Sequence, residues 1–278
     1  MKLILSRKGF DSSAGEYPSP IFEDGSFISL PIPDQDSSLL FADIRGSHRI
    51  GQIVEELTNR SVKASDGVHL DPDLRMDSRQ RKRGWRPMFG QADAAQRHLR
   101  NMEVAEGDIF LFFGWFRRVE LRDGRFCYQR RAPHLHMMFG WLKIGEIWRM
   151  SENKDLTIPE WAKDHPHVAQ RNTFKGNTIY VAARTDTGYT AGTFRSEVDD
   201  LILTREGESR SRWRLPKWFY PSEKQSALSY HSNLVRWTPH NCHADLQSVG
   251  RGQEFVVDIQ GNPEAVHWVD DLIAKNAA

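Results

Sequence analysis

Residues 107–116, Gly-Asp-Ile-Phe-Leu-Phe-Phe-Gly-Trp-Phe, constrain the fold more than any other stretch of this chain. A strand with one wet face alternates apolar and polar residues, whereas this one is apolar at both parities. It must be covered on both faces, which calls for a sheet with further structure packed against it. Residues 119–121 and 126–128 follow as a hairpin about Asp123-Gly124, a pair suited to a tight turn. Residues 134–148 supply a second long strand.

Around this β-rich region, 104–150, other patterns fall into place. Apolar positions 50, 53, 54 and 57 predict a helix over 50–57, and positions 265, 266, 269, 272 and 273 predict another over 263–273. The run 90–99 is rich in helix formers and should bring Gln91 and His98 near the sheet. A short helix is expected around 158–162, with Pro159 in its first turn. Strands are expected at 26–30, 178–183, 201–204 and 253–259, and a turn at 185–188. Pro31 and Pro33 stop the first of these from pairing as a central strand. We read the chain, 1–278, as a single domain of the α+β class with a mixed or antiparallel sheet and flanking helices.

The densest polar chemistry lies near the start. Ser6-Arg7-Lys8-Gly9-Phe10-Asp11-Ser12-Ser13 places two cations, a glycine, a carboxylate and three hydroxyls after a short apolar strand. Ser6, Arg7, Lys8 and Ser12 suit a phosphate or sugar, with Asp11 as the candidate general base. The plainer reading is a strand followed by a solvated turn. In 68–75, His69, Asp71 and Asp73 alternate, so an extended backbone would present them on one face as a catalytic wall able to share a metal or hydrogen-bond a sugar, whereas Asp71-Pro72 equally suits a turn. No metal ligand set is assigned to them.

Ser6-Arg7-Lys8-Gly9-Phe10-Asp11, with Pro18-Ser19-Pro20-Ile21, Asp24-Gly25 and Leu30-Pro31-Ile32-Pro33, resembles the opening of the nucleotide modification associated domain 3 family, a bacterial and phage group. The resemblance implies a role in making or handling modified nucleic-acid bases and carries no mechanism residue by residue. A second resemblance is to PUA-like barrels. Their central strands are similar to the order of glycine-aspartate, apolar strand, basic segment and a strand reaching Ile144-Gly145-Glu146-Ile147. It implies a small barrel as the alternative architecture and a non-catalytic reader of modified bases as the alternative function.

Several aromatic and histidine residues extend the candidate binding surface. Trp115, His134 and His136 sit on or beside the long strands, while Trp213 and Trp218 lie among Arg212, Arg214 and Lys217. Flat rings beside cations can stack bases and neutralise phosphate, although such rings more often close a core. The basic run 79–86, with Trp85 inside it, invites the same two readings. His240, Cys242 and His243 lack the spacing of a closed zinc site.

Charge narrows the partners. Lys plus Arg is 38 against Asp plus Glu 37, so overall charge drives no strong non-specific DNA binding and contacts must be local. The two distant cysteines exclude a disulfide framework. There is no Walker loop, no G-x-S-x-G elbow and no G-x-G-x-x-G turn, and the strand 254–258 lacks the acidic-x-Lys ending of a common nuclease core. A metal-dependent defence nuclease is therefore a third reading. The expected partners are a nucleotide or nucleic acid, DNA ahead of RNA, and other base-modification proteins, with no membrane. The expected location is cytoplasmic; cofactors and catalysis itself stay open.

Overall fold

The strand Ile109–Arg122 forms the middle of a nine-stranded mixed sheet. The computed structural model describes residues 1–278 apart from Lys154, Thr187, Lys224 and the side chain of Tyr189. The turn expected at 185–188 includes Thr187 and lies outside the described residues.

The path of the sheet runs Glu254–Asp258, Lys2–Arg7, Ile109–Arg122, Leu135–Arg149, Thr178–Ala182 and Met88–Gln91. Three short strands, Ser19–Ile21, Arg125–Tyr128 and Ala191–Thr193, pair with its two longest members. Lys2–Arg7 is parallel to Ile109–Arg122 and antiparallel to Glu254–Asp258, which makes the sheet mixed. The hairpin turns at Asp123 and Gly124, with φ of 51° and 75°, the left-handed pair a two-residue turn requires.

Side-chain alternation explains how this sheet curls. Phe110 and Phe112 share one face of the central strand, and Phe89 from the far end strand packs on both, with ring centroids 5.1 and 5.2 Å away. Register shifts at 112/113 and at 144/146 add local twist. The two end strands thus approach each other, and Gln91 Nε2 donates to Glu254 Oε1 at 2.5 Å. No backbone ladder joins those strands, so the sheet does not close into a barrel. Of the two expected architectures, the α+β mixed sheet is the one present.

The helices Ile50–Leu57, Asp93–Asn101 and Pro263–Asn276 match the periodic segments. The last is capped by Asn262, whose side chain accepts from the Ala265 N–H, with Pro263 in the first turn. A fourth helix, Pro166–Ala169, falls in a segment that reads as polar connection. Two expected strands are absent. Residues 26–30 meet the strand Ser19–Ile21 through one bridge, Phe27 to Ile21, and through the bonds Ile28 N–H to the Pro20 carbonyl and Leu30 N–H to Ser19 Oγ, without forming a ladder. Residues 201–204 follow a 3-10 turn, Asp199–Leu201, and make single bridges only. A three-stranded sheet of Arg212–Pro216, His243–Gln247 and Trp237–Pro239 packs beside the main one.

Candidate functional site

At the seam where the sheet fails to close lies a cleft of about 960 Å3. Two groups of polar side chains border it, the first reaching its lining through His69 and His167 and the second through Gln91 and Glu254. The first is built on His69, Asp71, His165 and His167. The Asp71 side chain is 5% exposed, and its Oδ1 accepts the Gly90 N–H at 2.9 Å and lies 3.3 Å from His165 Nε2. Its Oδ2 lies 3.8 Å from His69 Nε2 and 3.7 Å from His167 Nε2.

Each imidazole is set by what its other nitrogen meets. His69 Nδ1 is 3.3 Å from Asp34 Oδ2, and a carboxylate there requires the proton on Nδ1. Asn177 Nδ2 donates to the His167 carbonyl at 2.7 Å, which turns Asn177 Oδ1 towards His167 Nδ1 at 2.8 Å and places that proton too on Nδ1. Both Nε2 lone pairs therefore point towards Asp71. His165 has the opposite tautomer, because its Nδ1 accepts the His167 N–H. Burial works to raise the Asp71 pKa, but the His165 N–H beside it, and the charges that His165, His167 and His69 take up in acid, outweigh it and hold the group at about 2. Burial pushes the His167 imidazole down to about 4 against the pull of Asp71.

The second group centres on Glu254, which is 1% exposed. Its Oε1 accepts from Ser6 Oγ at 3.1 Å, Lys8 Nζ at 2.9 Å and Gln91 Nε2 at 2.5 Å. Strand register explains the cluster, since Ser6 pairs directly with Glu254 and Lys8 follows on the same face. The ammonium of Lys8 also lies 4.6 Å from the Phe89 ring centroid. Gly90 and Gln91, adjacent in sequence, tie the groups together: one donates its N–H to Asp71, the other its amide to Glu254.

The opening stretch thus divides. Ser6 and Lys8 support the cleft through Glu254, whereas Arg7 donates to the carbonyls of Gly250 and Gly252. Asp11 Oδ1 accepts from Ser13 Oγ and from the N–H groups of Ser13 and Ala14, stapling its own turn. Burial works to raise its pKa, but those bonds and Arg7 leave it below the ordinary carboxylate range. Ser12 is exposed, and neither it nor Asp11 lines the cleft.

The shared face expected for 69, 71 and 73 holds for two of the three. His69 and Asp71 meet, whereas Asp73 is gripped by both terminal nitrogens of Arg81, whose guanidinium lies 4.1 Å from the Trp85 ring. Trp85 is buried, so the basic run presents no ring to a base. Trp213 and Trp218 are core residues too, and their neighbouring Arg212 and Arg214 stay wet. His136 is buried with its Nδ1 accepting from Trp213 Nε1 at 3.1 Å. Trp115 and exposed His134 form a separate surface feature, joined by a 2.9 Å hydrogen bond and covered by Arg210 at 4.1 Å.

Several site residues escaped the sequence reading. His165 and His167 lie two apart in His-Pro-His, the same spacing as His134 and His136. Asn177 and Asp34 carry no sequence signal, because their role arises from tertiary contact.

With this geometry in view, a family model described as nucleotide modification associated domain 3 matches residues 2–258. The chain belongs to that family. No curated protein and no solved structure matches it. For the nucleotide modification associated domain 3 family, the match spans both groups of the cleft, from Ser6 to Glu254. No helix among the described residues is long and apolar enough to cross a membrane.

Proposed function

We propose that this chain takes a nucleotide, free or within DNA, into the seam cleft and acts on it in a base-modification pathway alongside other proteins. The observation that supports this reading is one cleft of nucleotide size lined by rings, a cation and side chains from both polar groups. Tyr230, 53% exposed, and Phe174 offer flat faces for a base. Arg251 on the same lining supplies a cation for phosphate, a role that Lys8 fills poorly because Glu254 already neutralises it. His69 and Asp71 supply acid–base or ligand chemistry beside the bound base. Asp11 acts by holding its turn.

The test compares nucleosides, by mass spectrometry, from the DNA of cells carrying the wild type, Arg251→Ala or no copy. A new mass that requires the wild type and fades with Arg251→Ala is expected. Identical profiles, together with no binding of nucleoside monophosphates or short DNA to the purified protein, would overturn the proposal.

A further inference from the structure

We infer that His69 Nε2, Asp71 Oδ2 and His167 Nε2 form a binding site for one divalent transition-metal ion that faces the cleft. The three atoms lie within 4.8 Å of one another. Their chemistry decides the point. With the ring protons of His69 and His167 on Nδ1, two nitrogen lone pairs and a carboxylate oxygen converge with no hydrogen between them. Three electron-rich atoms packed that way repel unless a positive centre sits among them.

The distances suit an ion. Donors each about 2.1 Å from a tetrahedral metal lie roughly 3.4 Å apart, so edges of 3.7 and 3.8 Å need only a small contraction. The surroundings are those of metal-bound imidazoles, whose second nitrogen donates to a carboxylate or an amide oxygen. Asp34 takes that role for His69, and is itself held by Gln170 Nε2 at 2.8 Å; Asn177 takes it for His167. The Gly90 N–H occupies Asp71 Oδ1, with His165 Nε2 3.3 Å from the same oxygen, which leaves Oδ2 for the ion. Two imidazoles and one carboxylate favour zinc, cobalt or iron over magnesium or calcium, and three protein ligands leave positions open towards the cleft.

A second group, His240, His243 and Asp245, has the same donor types. There Arg205 already contacts Asp245 Oδ2 at 2.7 Å, so a cation is present without a metal. It serves as the internal control.

The inference stands apart from the nucleotide reading, and its test uses no nucleotide. The full-length protein, stripped with chelator, is titrated with Co2+ alone and followed by calorimetry and by visible absorption. One equivalent should bind and develop the absorption of a nitrogen-ligated ion. His69→Ala should weaken binding more than about 100-fold, beyond the usual effect of losing an outer partner. Asp71→Asn, which keeps the side-chain shape, should do the same, whereas His243→Ala should leave binding unchanged. Absence of stoichiometric binding by the wild type overturns the assignment. So does binding that survives both His69→Ala and Asp71→Asn, or that disappears with His243→Ala.

Discussion

Asn177 holds His167 from two directions, with Nδ2 on its carbonyl at 2.7 Å and Oδ1 at 2.8 Å from its Nδ1. The amide thereby fixes both the ring orientation and the tautomer. Asn177→Ala should lower Co2+ affinity by about 10–100-fold while leaving one equivalent bound, as expected for an outer partner. A Co2+ titration of the variant beside His69→Ala separates this positioning role from a ligand's role. Equal losses in the two would remove the distinction.

Gly90 has no room for a side chain, since a Cβ there would stand 2.3 Å from the His167 ring. The ring is stacked on Phe174 at 4.5 Å and buried, so it cannot move freely. Gly90→Ala should destabilise the protein by about 1–3 kcal/mol in urea unfolding, the usual range for overpacking. It should also weaken Co2+ binding by displacing the imidazole. Gly250→Ala, where a Cβ meets nothing within 4 Å, should be neutral in both measurements.

Acid should destabilise this fold through two buried histidines outside the cleft. Burial, assisted by Arg210 and Arg7 and opposed by Asp11, pushes His136 down to about 3; burial and Arg236, against a hydrogen bond to Ser229, push His231 down to about 4. Both act as acceptors, His136 from Trp213 Nε1 and His231 Nε2 from the Val249 N–H at 3.2 Å, so each is needed neutral. The unfolded chain takes up these protons near pH 6.5 and the folded one only far lower. Stability is therefore fully present above pH 6.5 and is lost as pH falls towards 4, by about 3 kcal/mol for each histidine. Urea midpoints followed by tryptophan fluorescence should show this slope, and His136→Gln should remove about half of it.

The periodic parts of this fold were readable because burial leaves a repeat in the sequence. Residues 50–57 and 263–273 show one apolar helical face, residues 107–116 show two apolar strand faces, and Asp123-Gly124 shows its turn. The curl was not readable, because it depends on Phe89 reaching Phe110 and Phe112 from a strand three places away in the sheet. The site divides along the same line. Ser6, Lys8, His69 and Asp71 stood out by residue type, yet Glu254 comes from 248 residues beyond Ser6 and His167 from 98 beyond His69, and Asn177 enters only through its bonds to His167. Trp213 and Trp218 misled for the converse reason, since an aromatic beside cations reads alike whether its ring faces a ligand or a core.

Lys8 and Glu254 form an ion pair at 2.9 Å with side-chain exposures of 11% and 0%. Removing one partner leaves the other charge buried, so Lys8→Met and Glu254→Gln should each destabilise by about 3–5 kcal/mol. The double variant keeps an acceptor for Ser6 and Gln91 and buries no lone charge, so it should lose much less than the sum of the two. A double-mutant cycle in urea gives this coupling directly. If Lys8 serves Glu254 rather than phosphate, the double variant should bind nucleoside monophosphates within about threefold of the wild type, whereas Arg251→Ala should lose tenfold or more, about 1.4 kcal/mol. The opposite ranking would return the phosphate role to the opening strand.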